Sequence, residues 1–457
     1  MNFFSINFLI FLIVVVAIIS KIKSVDVRNY ILLCASWIFY ACWDWRLLGL
    51  LIFISLAAYL GGKYVYNKWA KIISISIPLL SLCICKYLGF FVDTFCNLLS
   101  IEDNFSLHII LPLGISFYSF LAISYVLDVH KKKIAAEKEF AIVALYVSFF
   151  PTIVSGPITK ARDLLMQFKA VQPFNWHDIE IGAQFFILGC LKKFVLADNM
   201  GVLVDEVYKT PLVFDSATVW LAVISYSFQL YFDFSGYSDM AIGCGRMMGF
   251  KLAENFNVPY IAKNISDFWK RWHISLSSWL QEYLYFTLGG SRCGKLKTYR
   301  NLMATMLLCG LWHGAAWNFV LWGCLHGLLV CGYHFLRDIA EEKVRLPVIF
   351  NVLVTFFLVT MCWIFFRGSD LYNIEQILYR LFIYEEHAVN HMYVWSWLGI
   401  IVGIVMGVWT IMVDKWQAKR PVVEVQTAMG FFIICMSIYF LFGLMYTGNN
   451  PFVYAAF

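Results

Sequence analysis

Charge is scarce in this sequence. Asp, Glu, Lys and Arg make up 14% of its 457 residues, against 61% hydrophobic. Soluble domains carry roughly a quarter charged and about half apolar residues, so a water-soluble globular fold is excluded. The alternating segments of roughly ten residues that build a membrane barrel are missing, as are solenoid periods and low-complexity linkers. The 13 cysteines form no C-x-x-C pair and lie mostly in apolar stretches, so they read as small packing residues rather than a zinc site. H-E-x-x-H, G-x-S-x-G and G-D-S are all absent, which removes the zincin and hydrolase-elbow signatures.

Long apolar runs are what the chain does have. They cover 4–20, 47–60, 72–92, 107–127, 140–154, 181–196, 219–231, 302–335, 348–366, 397–413 and 431–446, with 30–42 as a further candidate. A helix needs about 20 apolar residues to cross a bilayer. The run at 302–335 is long enough for more than one helix, and others are short. The expectation is an all-α polytopic membrane protein of about ten to twelve helices, some broken or re-entrant, because only closed hydrogen bonding survives in lipid. The first run has no basic segment before it and no clear small-residue cleavage site after it, so it is expected to stay as a membrane helix.

Net charge is +6, and its distribution reads as topology. Lys21, Lys23 and Arg28 follow the first run, placing the N-terminus outside and that loop in the cytoplasm. The same rule puts Lys63, Lys68, Lys71, Lys131–Lys133, Lys343, Arg345, Lys415, Lys419 and Arg420 inside, and the acidic Glu102–Asp103 loop outside. Contact with anionic membrane lipids accounts for the basic excess without nucleic acid. One integral-membrane domain over 1–457 is expected, with plain N-terminal helices (1–106), a polar catalytic core (107–335) and plain C-terminal helices (346–457). Ionisable groups at membrane depth are costly and normally line a cavity or pathway, so the middle is where chemistry should lie.

Four stretches concentrate those groups. "LPLGISFYSFLAISYVLDV" (111–129) opens on a Pro-x-Gly break and ends at Asp128, which is also placed to cap a helix end. In "FFPTIVSGPITKARDLL" (149–165), Pro151, Gly156 and Pro157 forbid a continuous helix and predict a bend, with Lys160 and Arg162 beyond it. "YSFQLYFDFSGYSDMAIGCGRMMGF" (226–250) holds Asp233 and Asp239; Asp239 with Arg246 would make an ordinary ion pair. In "NFNVPYIAKNISDFWKRWHISLSSWLQEYLYFTLGG" (255–290), Asn264 or Ser266 is placed to cap a helix and Asp267 to pair with Arg271 one turn on. Trp269, Trp272, His273 and Trp279 give that helix an interface-seeking face.

His313 stands in "LCGLWHGAAWNFVLWG" (308–323), and three readings are open: a packed core histidine, a metal ligand, or a general base. On one straight helix His326 would lie about 220° round the axis from it, which disfavours a two-histidine metal site. Imidazole takes a proton near neutral pH without a permanent buried charge, and Gly314, Ala315 and Ala316 would leave room beside the ring for a substrate.

Together "FDFSGYSDMAIGCGRMMGF", "ENFNVPYIAKNISDFWKRWHISLSSWLQEYLYFTLGGSR" and "LWHGAAWNFVLWGCLHG" resemble the membrane-bound O-acyltransferase family, especially its bacterial branch that O-acetylates alginate and other polysaccharides. "ASWIFYACWDWRLL", "LPLGISFYSF", "SGPITKARDLL", "CWIFFRGSD" and "NPFVYAAF" extend the resemblance over nearly the whole chain. It departs from the pattern at Leu121, Lys270 and Thr287, none of which touches the Trp-His-Gly segment. The resemblance implies His313 as the catalytic residue, general base or covalent acyl carrier, and His273 as a second site residue; Asp267, Trp272, Trp312 and Asn318 are expected to bind substrate beside them. It further implies an acetyl-CoA donor entering a polar tunnel, with no bound cofactor and no metal. Lys160, Arg162, Lys295 and Lys297 are candidates for the anionic donor. A periplasmic SGNH, serine esterase-like partner would finish the transfer to the polysaccharide acceptor, with this chain in the cell inner membrane.

Two rivals are kept. The D-alanyl branch for teichoic acids shares the Trp-His segments but usually lacks the "LGGSR" type of ending seen here. A transporter or flippase relaying protons through buried Asp and His would show matched broken helices in an internal repeat, and no such repeat is visible.

Overall fold

The computed structural model describes residues 3, 5–99, 110–171, 175–340, 346–383, 388–414 and 428–445. The loop at 102–103, the basic residues Lys343, Arg345, Lys415, Lys419 and Arg420, and the segment 450–457 lie outside the described residues.

Helix dominates, as expected, and the described residues contain no strand beyond one isolated bridge, Phe214 with Val389. In chain order the helices are α1 (Ile6–Ile19), α2 (Val25–Lys63), α3 (Lys68–Leu82), α4 (Leu88–Leu99), α5 (Ile115–His130), α6 (Phe140–Ser148), α7 (Ala161–Lys169), α8 (Trp176–Cys190) and α9 (Asp198–Lys209). Then come α10 (Ser216–Met247), α11 (Ile265–Arg271), α12 (Ile274–Trp279), α13 (Lys295–His313), α14 (Trp317–Ala340), α15 (Val348–Arg367), α16 (Leu371–Phe382), α17 (Val394–Asp414) and α18 (Ala428–Leu444). Among the described residues, four stretches are long and apolar enough to cross a bilayer: Val25–Lys63, Lys68–Leu99, Trp317–Ile339 and Val348–Arg367. Ile6–Ile19, Ile115–His130, Val394–Thr410 and Ile433–Leu444 are shorter apolar helices.

The eighteen helices among the described residues include short segments as well as spans, because breaks and loops cut the expected membrane helices into pieces. Asp44 leaves helical geometry (φ −154°, ψ 111°) inside α2, between the runs at 30–42 and 47–60. Among the described residues, π segments at Cys83–Tyr87 and Leu191–Ala197 interrupt otherwise continuous helix, and a third, Leu280–Tyr285, extends α12 to its end. Several starts are capped as the sequence dictates. Ser5, Asn67, Asn264 and Asp370 each accept a hydrogen bond from a backbone N–H of the first turn.

The chain divides into two compact units, Met1–Phe186 with Ser238–Ala253, and Ile187–Tyr237 with Glu254–Phe457. In the first, Phe8, Phe39 and Phe150 pack ring to ring, and Phe149 meets Phe168 and Phe250 edge-on at 5.4 and 5.5 Å. Arg28 is buried there, and its cost is met by donation to the carbonyls of Phe168 (2.6 Å) and Ala170 (3.0 Å), the last turn of α7 and its cap. The predicted bend is present: α6 ends at Ser148, and α7 begins after Lys160. Gly156 is required in it, because a Cβ would meet Pro151 O and, at 2.7 Å, Thr152 Cα.

Arg246 does not take Asp239 as its ion-pair partner in the expected way. It reaches Asp178 at 2.6 Å, a residue distant in sequence that no local spacing could propose. In the second unit the ammonium of Lys193, 1% exposed, lies 2.7 Å from both Asp198 and Asp233. Lys193 sits in the π segment Leu191–Ala197, and Gly236 lets α10 approach this strand of chain, its Cβ position being 2.7 Å from Gly189 O.

Candidate active site

The second unit is organised around an α13–α14 hairpin. Gly310 on α13 and Gly323 on α14 form its crossing. A Cβ on Gly323 would come within 2.5 Å of Met306 O, and one on Gly310 would strike Phe319 O. Small residues therefore let the two backbones approach, as helix packing in lipid requires. Residues 314–316 make the turn, and Asn318 ties the start of α14 to the end of α15 by donating to Gly368 O at 2.9 Å.

This hairpin fixes His313 as the last residue of α13, 3% exposed. Its ring is walled edge-on by Trp312 (4.8 Å between centroids), Trp322 (5.1 Å) and Phe366 (5.2 Å). Cys309, one turn earlier, brings its Sγ to 3.9 Å from His313 Nε2. The space expected beside Gly314 is filled: a Cβ there would strike the Phe319 ring. The straight-helix argument about His326 also fails, since the turn places His326 on α14. Trp322 contacts both imidazoles, His326 at 4.7 Å. Among the described residues no group of three or more potential ligands forms a metal site.

His273 is held differently. The single amphipathic helix expected over this segment is broken at Trp272–His273, and His273 takes left-handed φ 43°, ψ 54° between α11 and α12. That region is unusual for a residue other than Gly, Asn or Asp and costs free energy unless its surroundings enforce it. The enforcement is visible. Asn257 N donates to Arg271 O (3.0 Å) and Ile274 N to Asn255 O (2.9 Å), clamping the backbone on both sides. The Asn255 side-chain oxygen accepts from Ser275 Oγ (2.5 Å) and from His273 Nδ1 (3.3 Å). With Nδ1 as donor, the neutral ring carries its lone pair on Nε2. The fully buried ring lies edge-on to Phe234 at 4.7 Å and 6.1 Å from Trp312. Trp312 is thus in ring contact with both His273 and His313.

The remaining expected residues divide. Trp272, 1% exposed, stacks on Phe268 (5.7 Å) and packs against Trp363 (5.0 Å). Asp267 is occupied locally: its N–H donates to the Asn264 cap, and its carboxylate accepts from Lys263 N and from Arg271 Nε, each at 3.0 Å. Its role is to hold α11. Lys160 and Arg162 belong to the first unit, the histidines to the second. Lys295 lines a cavity of about 770 Å³ inside the second unit, whereas Lys297 lines a separate groove with Arg300 and Phe335. The cavity runs along one face of α13 from Lys295 through Leu302, Thr305 and Met306 to Cys309. Lys270, Lys295 and Arg337 give it three cations against the single carboxylate of Asp338. Lys295 pairs with that carboxylate at 3.0 Å.

Sequence reasoning missed Asn255, Cys309, Trp322 and Phe366 as neighbours of the two histidines, and Lys193 as a buried cation. Only Lys193 had a visible signal, a Lys-Lys pair inside the apolar run 181–196.

An all-helical, membrane-type bundle with two buried histidines beside a cation-rimmed cavity defines a class before any comparison is made. The membrane-bound O-acyltransferase family matches over residues 135–369, and the chain belongs to that family: it is an integral-membrane O-acyltransferase. It is similar to the probable alginate O-acetylase AlgI of Pseudomonas syringae pv. tomato, 39% identical over 80% of this chain and 72% of that protein. The peptidoglycan O-acetyltransferase of Helicobacter pylori is 37% identical over 76% of this chain and 72% of its own length. The teichoic acid D-alanyltransferase of Bacillus subtilis is 30% identical over 57% and 70%.

Proposed function

We propose that this chain moves an acetyl group from cytoplasmic acetyl-CoA across the bacterial inner membrane for O-acetylation of an extracytoplasmic polysaccharide, with His313 as general base. One observation carries the reading: His313 Nε2 lies 3.9 Å from Cys309, the residue at the inner end of the cation-rimmed cavity. The similarity to an alginate O-acetylase and a peptidoglycan O-acetyltransferase, higher than that to the D-alanyltransferase, favours acetyl as the group moved.

The proposal gives each group a step. Lys270, Lys295 and Arg337 attract the phosphates of the donor at the rim. From Lys295 to Cys309 the helix rises about 21 Å, so an extended thioester arm is needed to reach His313. The imidazole accepts the proton of an acceptor hydroxyl as its oxygen attacks the thioester carbonyl; the tetrahedral intermediate collapses, and the departing thiolate takes that proton back. Proton count is unchanged over the cycle. The acceptor hydroxyl belongs to the polysaccharide or to the serine of a periplasmic SGNH-type partner. His273, fixed by Asn255, orients the acceptor, while Trp272 and Trp312 exclude water.

The test is transfer of labelled acetyl from acetyl-CoA by the purified full chain, with and without His313→Ala. Turnover that survives the substitution refutes the base assignment. Entry from inside also requires the Lys131–Lys133 loop to be cytoplasmic, and labelling of single cysteines in that loop from the periplasm alone would refute it.

A further inference from the structure

The walls around His313 are unequal. Three are aromatic rings, those of Trp312, Trp322 and Phe366. At positions 310 and 314 no side chain fits at all, because a Cβ on either glycine would strike Phe319. The wall facing the cavity is the small side chain of Cys309, 1% exposed, which both lines the cavity and touches His313 Nε2. An acyl carbon brought from the cavity to that nitrogen has to pass Sγ. The aromatic walls are packed against one another and the glycine positions admit no side chain, so Cys309 is the small side chain between the cavity and His313 Nε2 whose size can change.

We propose that Cys309 is a specificity-determining residue, whose size sets the longest acyl group that can be placed against His313. The inference rests on the acyl-CoA reading above and adds to it the control of chain length. Cys309 takes no part in bond making: the thiol is a wall, the acyl group goes directly to the acceptor oxygen, and no cysteine thioester forms.

A cavity wall of this kind has a measurable signature. One methylene more or less in a tight apolar site changes kcat/KM by about 10–200-fold. Purified full-length enzyme is assayed with acetyl-, propionyl-, butyryl- and hexanoyl-CoA. The native chain is expected to prefer acetyl-CoA. Cys309→Gly and Cys309→Ala are expected to raise the ratio of butyryl to acetyl transfer, by at least about tenfold for the glycine variant. The alanine variant guards against the helix-weakening effect of glycine, about 1 kcal/mol. Cys309→Leu, folded by its melting curve, is expected to lose acetyl transfer. An unchanged chain-length profile in Cys309→Gly and Cys309→Ala, with the native chain active on acetyl-CoA, overturns the inference alone. Loss of all transfer in folded Cys309→Ala overturns it too, and marks the thiol as a participant in the chemistry. A native chain that turns over none of the four thioesters overturns the donor reading beneath it.

Discussion

The second unit contains two buried polar clusters built on opposite principles. Around Lys193 one ammonium is shared by two carboxylates, each at 2.7 Å. The charges are formal, the distances short, and the cluster lines neither of the two cavities described. Around His313 and His273 the polar groups are imidazoles, the neighbours are aromatic, and a large cavity ends one helical turn away from His313. Desolvated ions are tolerable only when their partners stay in place, so the first cluster gains from rigidity and loses from any substrate. A neutral base surrounded by rings can accept a charge transiently and return it. On the function proposed above, the first cluster is architecture and the second is where chemistry takes place.

That contrast breaks most easily at His313. His313→Ala is expected to lower acetyl transfer by about 10²–10⁴-fold with a melting temperature lowered only by the cavity it leaves, since no ion is stranded. A large fall in stability instead would move His313 into the architectural class. Lys193→Met should do the reverse. Stranding Asp198 and Asp233 without their cation is expected to cost about 3–5 kcal/mol, read as lost yield or a lower melting temperature in detergent. Replacing both carboxylates by Asn in the same variant should recover most of it. Activity per folded molecule of that triple variant should remain near that of the native chain.

His273 sharpens the comparison because its backbone and its ring can be separated. His273→Asn keeps a residue that tolerates the left-handed conformation while removing Nε2 as a hydrogen-bonding group. A fall of about 10²-fold in transfer with native stability is expected, the scale of a misplaced reactant. His273→Val should also lose stability, because a branched side chain is strained at φ 43°. Equal melting temperatures for the two variants would mean that the clamp through Asn255 and Asn257 does not hold the turn.

What could be read from the sequence was local. The all-α membrane class follows from apolar runs, the Asn264 cap and the Asp267–Arg271 pair from spacing of three and four, and the corner at 149–160 from two prolines and a glycine. His313 stood out because an imidazole in such a run needs a reason. What could not be read was tertiary. Lys193 meets Asp233 and Arg246 meets Asp178 across intervening helices. No residue pattern announces a left-handed histidine, and the filling of the Gly314 gap by Phe319 depends on how α14 folds back. The same fold-back undid the helical-wheel argument that had separated His313 from His326.

His326 gives the smallest and most discriminating effect. It is fully buried among Phe268, Trp269, Trp322 and Trp363. Neither ring nitrogen makes a hydrogen bond among the described residues. A buried polar atom left unsatisfied costs about 1–3 kcal/mol, so a pure packing role would be better served by a hydrocarbon ring. His326→Phe is therefore expected to raise stability by about 1 kcal/mol, seen as a small upward shift in melting temperature. Because Trp322 also walls His313, transfer by the variant reports whether that indole has moved. Native-like acetyl transfer would confine the chemistry to His313 and His273. A loss as deep as that of His313→Ala would enlarge the chemical cluster to three imidazoles, and the contrast with Lys193 would then rest on charge rather than on which histidine touches the cavity.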